Sequence, residues 1–254
     1  MLRIGALISG SGTNLAAVIR ACQEGNVDGN VIFVGADNPD AAGLKKAEAA
    51  GIPTFVVDYK NIIHDYRHSP ETFSPPADFD ETEIGAKISL FSEDHPIEKR
   101  KAFLVTRAAA EQKLLEAMAP YPFDLLILAG FMRNLTPYFI DRVNTDKTSP
   151  RIMNIHPALL PAFPGVDGYG DTWRYGCKVG GCTVHFIDYG EDTGPIIGQK
   201  AFNILPGDTL NDIKKRGLAL EWKLYPECVQ LFADGRLEVR KQKHQLNNGK
   251  TIEL

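Results

Sequence analysis

The stretch "NIHPALLPAFPG", from Asn154 to Gly165, sets an amide and an imidazole one residue apart, just ahead of three prolines. An Asn amide and an imidazolium are both hydrogen-bond donors, and a fixed pair of them could hold the oxygen of a tetrahedral intermediate as it turns negative. Pro157 biases His156 toward an extended or turn conformation, and Pro161 and Pro164 stiffen the rest of the loop. A histidine before proline also serves as a plain structural cap, so the pair alone does not decide. About 30 residues on, "DYGEDTGP" places Asp192 between Gly190 and Gly194. Asp is a common turn residue; beside His156 its carboxylate could orient or charge the ring and carry protons.

A second candidate site is "SGSGTN", Ser9 to Asn14. Glycines and small hydroxyl residues between a strand and a helix let backbone N–H groups close on an anion, with Gly12, Thr13 and Asn14 as the ligating positions. A tight structural turn explains the same residues. Leu15 stands where a dinucleotide fingerprint needs its third glycine, and the GK[ST] of a P-loop is absent. Asp37, about 25 residues after Gly12, keeps a nicotinamide-binding alternative open.

Side chains so far apart must be gathered by a scaffold, and the hydrophobic pattern supplies one. "LRIGALI", "NVIFVGAD" and "IPTFVVD" read as buried strands alternating with the helices "NLAAVIRACQEG" and "AAGLKKAEAAG", a βαβαβ pattern that points to a parallel sheet. A helix is expected over about 99–118, then the strand "FDLLILAG", a short helix after Thr136 and the strand "RIMNI", which delivers Asn154 and His156 to a carboxyl end where open α/β sheets bind ligands. "GCTVHFID" and "PIIGQKAFNI" read as an antiparallel pair, and a long helix comes next with Asp208 or Thr209 as N-cap and Gly235 as its stop. The tail suggests one last strand. The expected fold is therefore a Rossmann-like, mostly parallel α/β sheet flanked by helices, with a C-terminal antiparallel hairpin extension and a long helix. It forms a single domain over 1–254, with lobes 1–150 and 151–254.

The segment from about 60 to 95 breaks the pattern. Rich in Pro, Ser and acidic residues, it reads as a solvated surface insertion unable to bury a core. His64, His68 and His95 within it match no metal-ligand spacing, and no metal is expected. The four cysteines form no CxxC pair and read as free buried thiols.

Composition narrows the function classes. With 44% hydrophobic and 24% charged residues and a net charge of -4, the chain has no signature of a general nucleic-acid or membrane binder. No apolar run approaches the roughly 18 residues that span a bilayer. The N-terminal apolar run is too short for a signal peptide, so a cytoplasmic protein is expected.

Taken together and in order, these residues resemble the glycinamide ribonucleotide formyltransferases of the folate-dependent formyltransferase superfamily. The resemblance runs through "IGALISGSGTNLAAVI", "ADNPDAAGLKKAEAAGIP", "DLLILAGFMRNLTP", "NIHPALLP", "GCTVHFIDYGEDTGPII" and "ALEWKLYPECVQLFADGRL". It implies transfer of a formyl group from 10-formyltetrahydrofolate to the amine of glycinamide ribonucleotide, with Asn154, His156 and Asp192 as the catalytic trio. It further implies that Gly12, Thr13, Asn14 and Glu221 hold the ribonucleotide and that Met132, Arg133, Leu135 and Asp188 line the folate side. The protein would act as a monomer or homodimer on these two small molecules.

Ala158, Ala162, Glu191 and the segment 166–180 depart from the usual pattern of that superfamily, so contacts from Gly168 to Trp173 cannot be carried over. Three alternatives remain. A formyltetrahydrofolate deformylase would use the same trio with water as acceptor and is expected to carry a further domain ahead of the phosphate loop. A methionyl-tRNA formyltransferase would add a C-terminal basic domain. A non-catalytic nucleotide-binding module would need the glycine loop but not the trio.

Overall fold

The computed structural model describes residues 1–91, 94–146, 148–240, 243–245 and 251–253. In the first half, β1 (Leu2–Ile8), α1 (Thr13–Gln23), β2 (Gly29–Ala36), α2 (Ala42–Ala49) and β3 (Thr54–Val56) alternate, followed by α3 (Tyr59–His68), α4 (Glu81–Lys87) and α5 (Ile97–Met118). Then come β4 (Leu125–Leu128), α6 (Pro137–Val143), β5 (Ile152–His156), α7 (Gly168–Arg174), β6 (Val179–Phe186), β7 (Ile196–Asn203) and α8 (Leu210–Ala233). A separate antiparallel pair, β8 (Lys243–Gln245) and β9 (Thr251–Glu253), forms in the tail, where the residue pattern suggests one strand.

The main sheet has seven strands in the order β3-β2-β1-β4-β5-β6-β7. The pairs from β3 to β5 are parallel, and those of β5 with β6 and β6 with β7 are antiparallel. The expected α/β architecture is thus the observed one. Strand order reverses between β1 and β4, and the loops that leave the carboxyl ends of these two strands open a crevice at that switch point.

Alternating side chains divide the core into two layers. On β4, Leu125 and Ile127 pack toward Leu15, Val18, Leu224 and Tyr225, whereas Leu126 and Leu128 pack toward Leu114, Met118 and Phe139. Period-two alternation on a strand covered on both faces accounts for the unbroken "LLIL" run. The Tyr225 hydroxyl, buried in α8, lies 3.1 Å from the Leu128 carbonyl and 2.9 Å from that of Met153. This contact seats α8 over the ends of β4 and β5.

The segment 60–95 departs from expectation. Its described residues, all but 92 and 93, are not a solvated excursion: they include α3 and α4, and they bury Ile84 and Ile88 in a satellite core with Leu104, Ala108 and Tyr138. Asp58 and Asp80 start the two helices by accepting backbone N–H groups of the first turn. Ile84 and Ile88, four residues apart, share one helical face, and so few apolar residues among many charges hide that periodicity. Cys182 and Cys228 are buried as expected, but Cys22 and Cys177 are half-buried.

Candidate active site

The catalytic candidates meet because β5 continues through His156. Asn154 and His156 then project from the same face of the strand, and in the antiparallel register with β6 they lie opposite His185 and Thr183. The Thr183 hydroxyl staples the proline loop, donating to the Ala158 carbonyl (2.7 Å) and accepting from Leu160 N (3.0 Å). The Leu160–Pro161 bond in this loop is cis.

His156 is 3% exposed, and both of its ring nitrogens face acceptors. Nδ1 lies 3.1 Å from Asp192 Oδ2, and Nε2 lies 2.8 Å from the Phe163 carbonyl. Only the imidazolium has a proton for each. Burial opposes that charge, but the hydrogen bond and negative charge of Asp192, with help from the Phe163 carbonyl, outweigh it and raise the His156 pKa. Burial would likewise raise the Asp192 pKa. The His156 hydrogen bond and charge, with the Gly165 N–H at 2.8 Å, instead hold it far below the usual carboxylate range.

Backbone strain converges on this ring. Phe163 (φ 57°) and Asp192 (φ 55°) are the two non-glycine residues with positive φ among those described. Each supplies one of the acceptors of His156. Asp tolerates the left-handed region, but for a bulky residue such as Phe it costs on the order of 1–3 kcal/mol, sustained only where surroundings over-determine it.

The structure adds two residues that the motifs alone do not indicate. His185, fully buried, has Nδ1 2.9 Å from the Phe186 carbonyl, which places a proton there and leaves Nε2 to accept from the Asn154 amide at 3.2 Å. Nε2 also lies 3.5 Å from Asp192 Oδ1, so this ring stands between the amide and the carboxylate. Its signal in the sequence is polar Thr183 and His185 at alternate positions of an otherwise apolar strand. Tyr169 of α7 comes from the divergent segment. Its ring lies against Gly217, where a Cβ would meet Tyr169 Cζ at 2.2 Å, and its hydroxyl donates to Glu221 Oε1 at 2.5 Å.

The other candidates are spread along the cleft and its rim. Asn14 donates to Glu221 Oε2 at 2.6 Å, while its own Oδ1 is buried without a partner. Gly12 is the N-cap of α1 at φ 64°, with a Cβ position only 2.7 Å from Gly43 Cα; both facts require glycine, and no side chain caps the helix. Thr13 faces an open groove between α1 and α8 and not the cleft that holds the trio. That cleft, about 340 Å³, is lined by Asn14, Asn154, His156, Asp192, Tyr169 and Glu221 together with Met132, Arg133, Leu135 and Asp188.

On the folate-side candidates, Leu135 is buried, and the Met132 side chain is exposed while its N–H donates to Ser9 Oγ at 2.7 Å. Arg133 donates to Asp37, which occupies the carboxylate that a nicotinamide ribose would need. Asp188 accepts from Gly190 N and the Thr193 hydroxyl within its own loop. His64 and His68 stack on each other, and His95 packs on Phe91. Among the described residues no group of three His, Cys, Asp or Glu side chains is placed to hold a metal ion.

Comparison with known proteins gives one answer. The family model described as formyl transferase matches residues 2–229. Phosphoribosylglycinamide formyltransferase of Bacillus subtilis is 32% identical over 91% of this chain and 94% of its own, and that of Escherichia coli is 31% identical over 94% and 91%. The crystal structure of glycinamide ribonucleotide transformylase 1 from Symbiobacterium toebii is 38% identical, covers 94% of this chain and 91% of its own, and has a TM-score of 0.71. With the match running from β1 into α8 across the whole seven-stranded sheet, the chain belongs to the formyl transferase family.

Proposed function

We propose that this protein transfers the formyl group of 10-formyltetrahydrofolate to the amine of glycinamide ribonucleotide, giving N-formylglycinamide ribonucleotide and tetrahydrofolate in de novo purine biosynthesis. The observation that carries the reading is the convergence of Asn154, His156, Asp192, Asn14 and Glu221 on one cleft in a chain similar to phosphoribosylglycinamide formyltransferase along 91% of its length.

The lining of the cleft supports a ribonucleotide at one end and a folate at the other. At the ribonucleotide end, the uncapped N-terminus of α1 leaves backbone N–H groups to a phosphate, and the unpartnered Asn14 Oδ1 accepts a donor from the substrate. Glu221, already holding Asn14 and Tyr169, orders that end. At the folate end Leu128, Phe131 and Leu135 give an apolar wall, continued by the loop from Met132 to Arg133. When bound, the folate supplies a formyl carbon attached to nitrogen.

The residues of the chain divide the work. As the amine adds, the formyl oxygen gains negative charge, which the second N–H of the Asn154 amide binds and which the positive charge of His156, whose two N–H groups are held by Asp192 and the Phe163 carbonyl, offsets through space. Asp192 is too weak a base to take a proton at neutral pH; its task is to keep His156 charged and oriented. The proton of the attacking nitrogen passes through water to the folate nitrogen, which departs as its bond to the formyl carbon breaks. The lobe 1–150 then supplies the phosphate end and the lobe 151–254 the trio. We read the protein as cytoplasmic; among the described residues no helix is long and apolar enough to cross a membrane.

The test is an assay of the purified protein with 10-formyltetrahydrofolate, with and without glycinamide ribonucleotide. Folate release that requires the ribonucleotide is the expected result. Release at the same rate without it would identify a hydrolase and overturn the proposal.

A further inference from the structure

The loop that carries Asp192 is held from outside the cleft by residues with no part in the chemistry. The Tyr189 carbonyl accepts from Ser89 N at 3.1 Å and from Ser89 Oγ at 3.3 Å. The Tyr189 hydroxyl donates to Asp141 of α6. Lys87, the last residue of α4, donates to the same carboxylate at 2.8 Å and to Glu83 at 2.6 Å. Next to this junction, a Cβ at Gly190 would stand 3.0 Å from Ser89 Oγ. Ile84 and Ile88 bind the same stretch to Leu104, Ala108 and Tyr138, so the junction rests on packed structure and not on surface charges alone.

We propose that α4 and Ser89 form a latch that positions Asp192 against His156. Asp192, whose backbone is in the left-handed region, stands only three positions beyond the anchored Tyr189. So short a segment pinned at one end has few ways to place its other end. With the latch released, the loop samples conformations in which Asp192 Oδ2 leaves Nδ1 of His156. A misplacement of about 1 Å from a change remote from the chemistry costs up to about 10²-fold in rate. Residues 80–90 are thereby given a purpose that charge and composition do not suggest: a positioning element for the catalytic carboxylate. The inference rests on the assignment of Asp192 to the transfer reaction.

The experiment uses the full-length chain with Lys87→Met, Tyr189→Phe and, as the conservative variant, Lys87→Arg. Lys87→Met and Tyr189→Phe each lose one hydrogen bond to Asp141 and are expected to lower kcat about fivefold to tenfold. KM for both substrates should stay within about twofold, since neither residue faces the cleft. The midpoint at which His156 loses its proton, followed by NMR of the ring, should move down, because a loosened carboxylate no longer favours the charged form. Lys87→Arg should restore both readouts. The latch is overturned if kcat is unchanged in both variants, or if kcat falls while the His156 midpoint stays at the wild-type value, as a general loss of stability would give. Asp192→Asn separates the two levels: retained turnover there would sink the site assignment itself, whereas an inactive Asp192→Asn beside fully active latch variants would sink the latch alone.

Discussion

Two ion pairs, each with one member buried, border the cleft through His156, Asp192 and Arg133, and they are built differently. In the pair of His156 with Asp192, both ring nitrogens have acceptors, and Asp192 Oδ2 also takes the Gly165 N–H. In the pair of Arg133 with Asp37, Asp37 Oδ1 is buried without a partner, and the neighbouring Tyr59 hydroxyl and Arg107 Nε are likewise unpaired. Both guanidinium groups approach the Tyr59 ring, with Arg107 Cζ 5.1 Å and Arg133 Cζ 5.3 Å from its centroid. Each buried unpaired polar group costs about 1–3 kcal/mol. One pair is thus finished before any ligand arrives and can act as a fixed charge, whereas the other holds a loop at the expense of incomplete hydrogen bonding. Preorganised charge, not the mere presence of an ion pair, distinguishes the catalytic side.

That contrast can be broken most sharply at the finished pair. His156→Ala, Asn154→Ala and Asp192→Ala are each expected to cut turnover at least about 10²-fold while circular dichroism and melting show an intact fold; near-wild-type turnover in any of the three would remove its assigned role. His185→Ala should cost less, about 10-fold to 10²-fold in kcat, because it releases the Asn154 amide without removing it. Loss of substrate affinity at constant kcat would instead place His185 in binding. At the other pair, Asp37→Asn frees Arg133 and should raise KM for the folate about tenfold, with kcat within about a factor of two. A collapse of kcat in that variant would mean that the two pairs are not functionally distinct.

A last effect concerns stability and not turnover. Glu111, buried on the Arg133 side, accepts from Thr136 N and bonds the Thr136 hydroxyl at the start of α6. Burial, only partly offset by these bonds, pushes its pKa from 4.5 to about 8. The folded state therefore keeps this proton over a range in which the unfolded chain has lost it. The stability contributed is complete below about pH 4.5 and is lost as pH rises toward about 8, at about 1.4 kcal/mol per pH unit. Urea unfolding of wild type and Glu111→Gln across this range should show a flatter profile in the variant. Parallel profiles would mean that Glu111 is ionised in the folded protein.

Much of this architecture can be read from residue order. The βαβαβ start, the buried strands and the Thr209 cap of α8 come from local periodicity and capping chemistry, which a chain states within a few residues. Asn154, His156 and Asp192 are legible because each stands at a strand end or in a glycine-flanked turn. His185 and Tyr169 are not, because their meaning depends on the register of β6 against β5 and on the space above Gly217. Asp37 looks available to a ribose only because its partner Arg133 lies 96 residues away in sequence. The segment 60–95 reads as solvated because its charges outnumber the few apolar side chains that bury it.

The most direct test of the catalytic arrangement is the protonation state of His156 in the free enzyme, read from its ring nitrogens by NMR at about pH 7.5, one unit above the ordinary histidine pKa. Two protonated nitrogens, with the imidazolium lost in Asp192→Asn, is the result expected from acceptors at both ends of the ring. A neutral ring at that pH in the wild-type protein would contradict it.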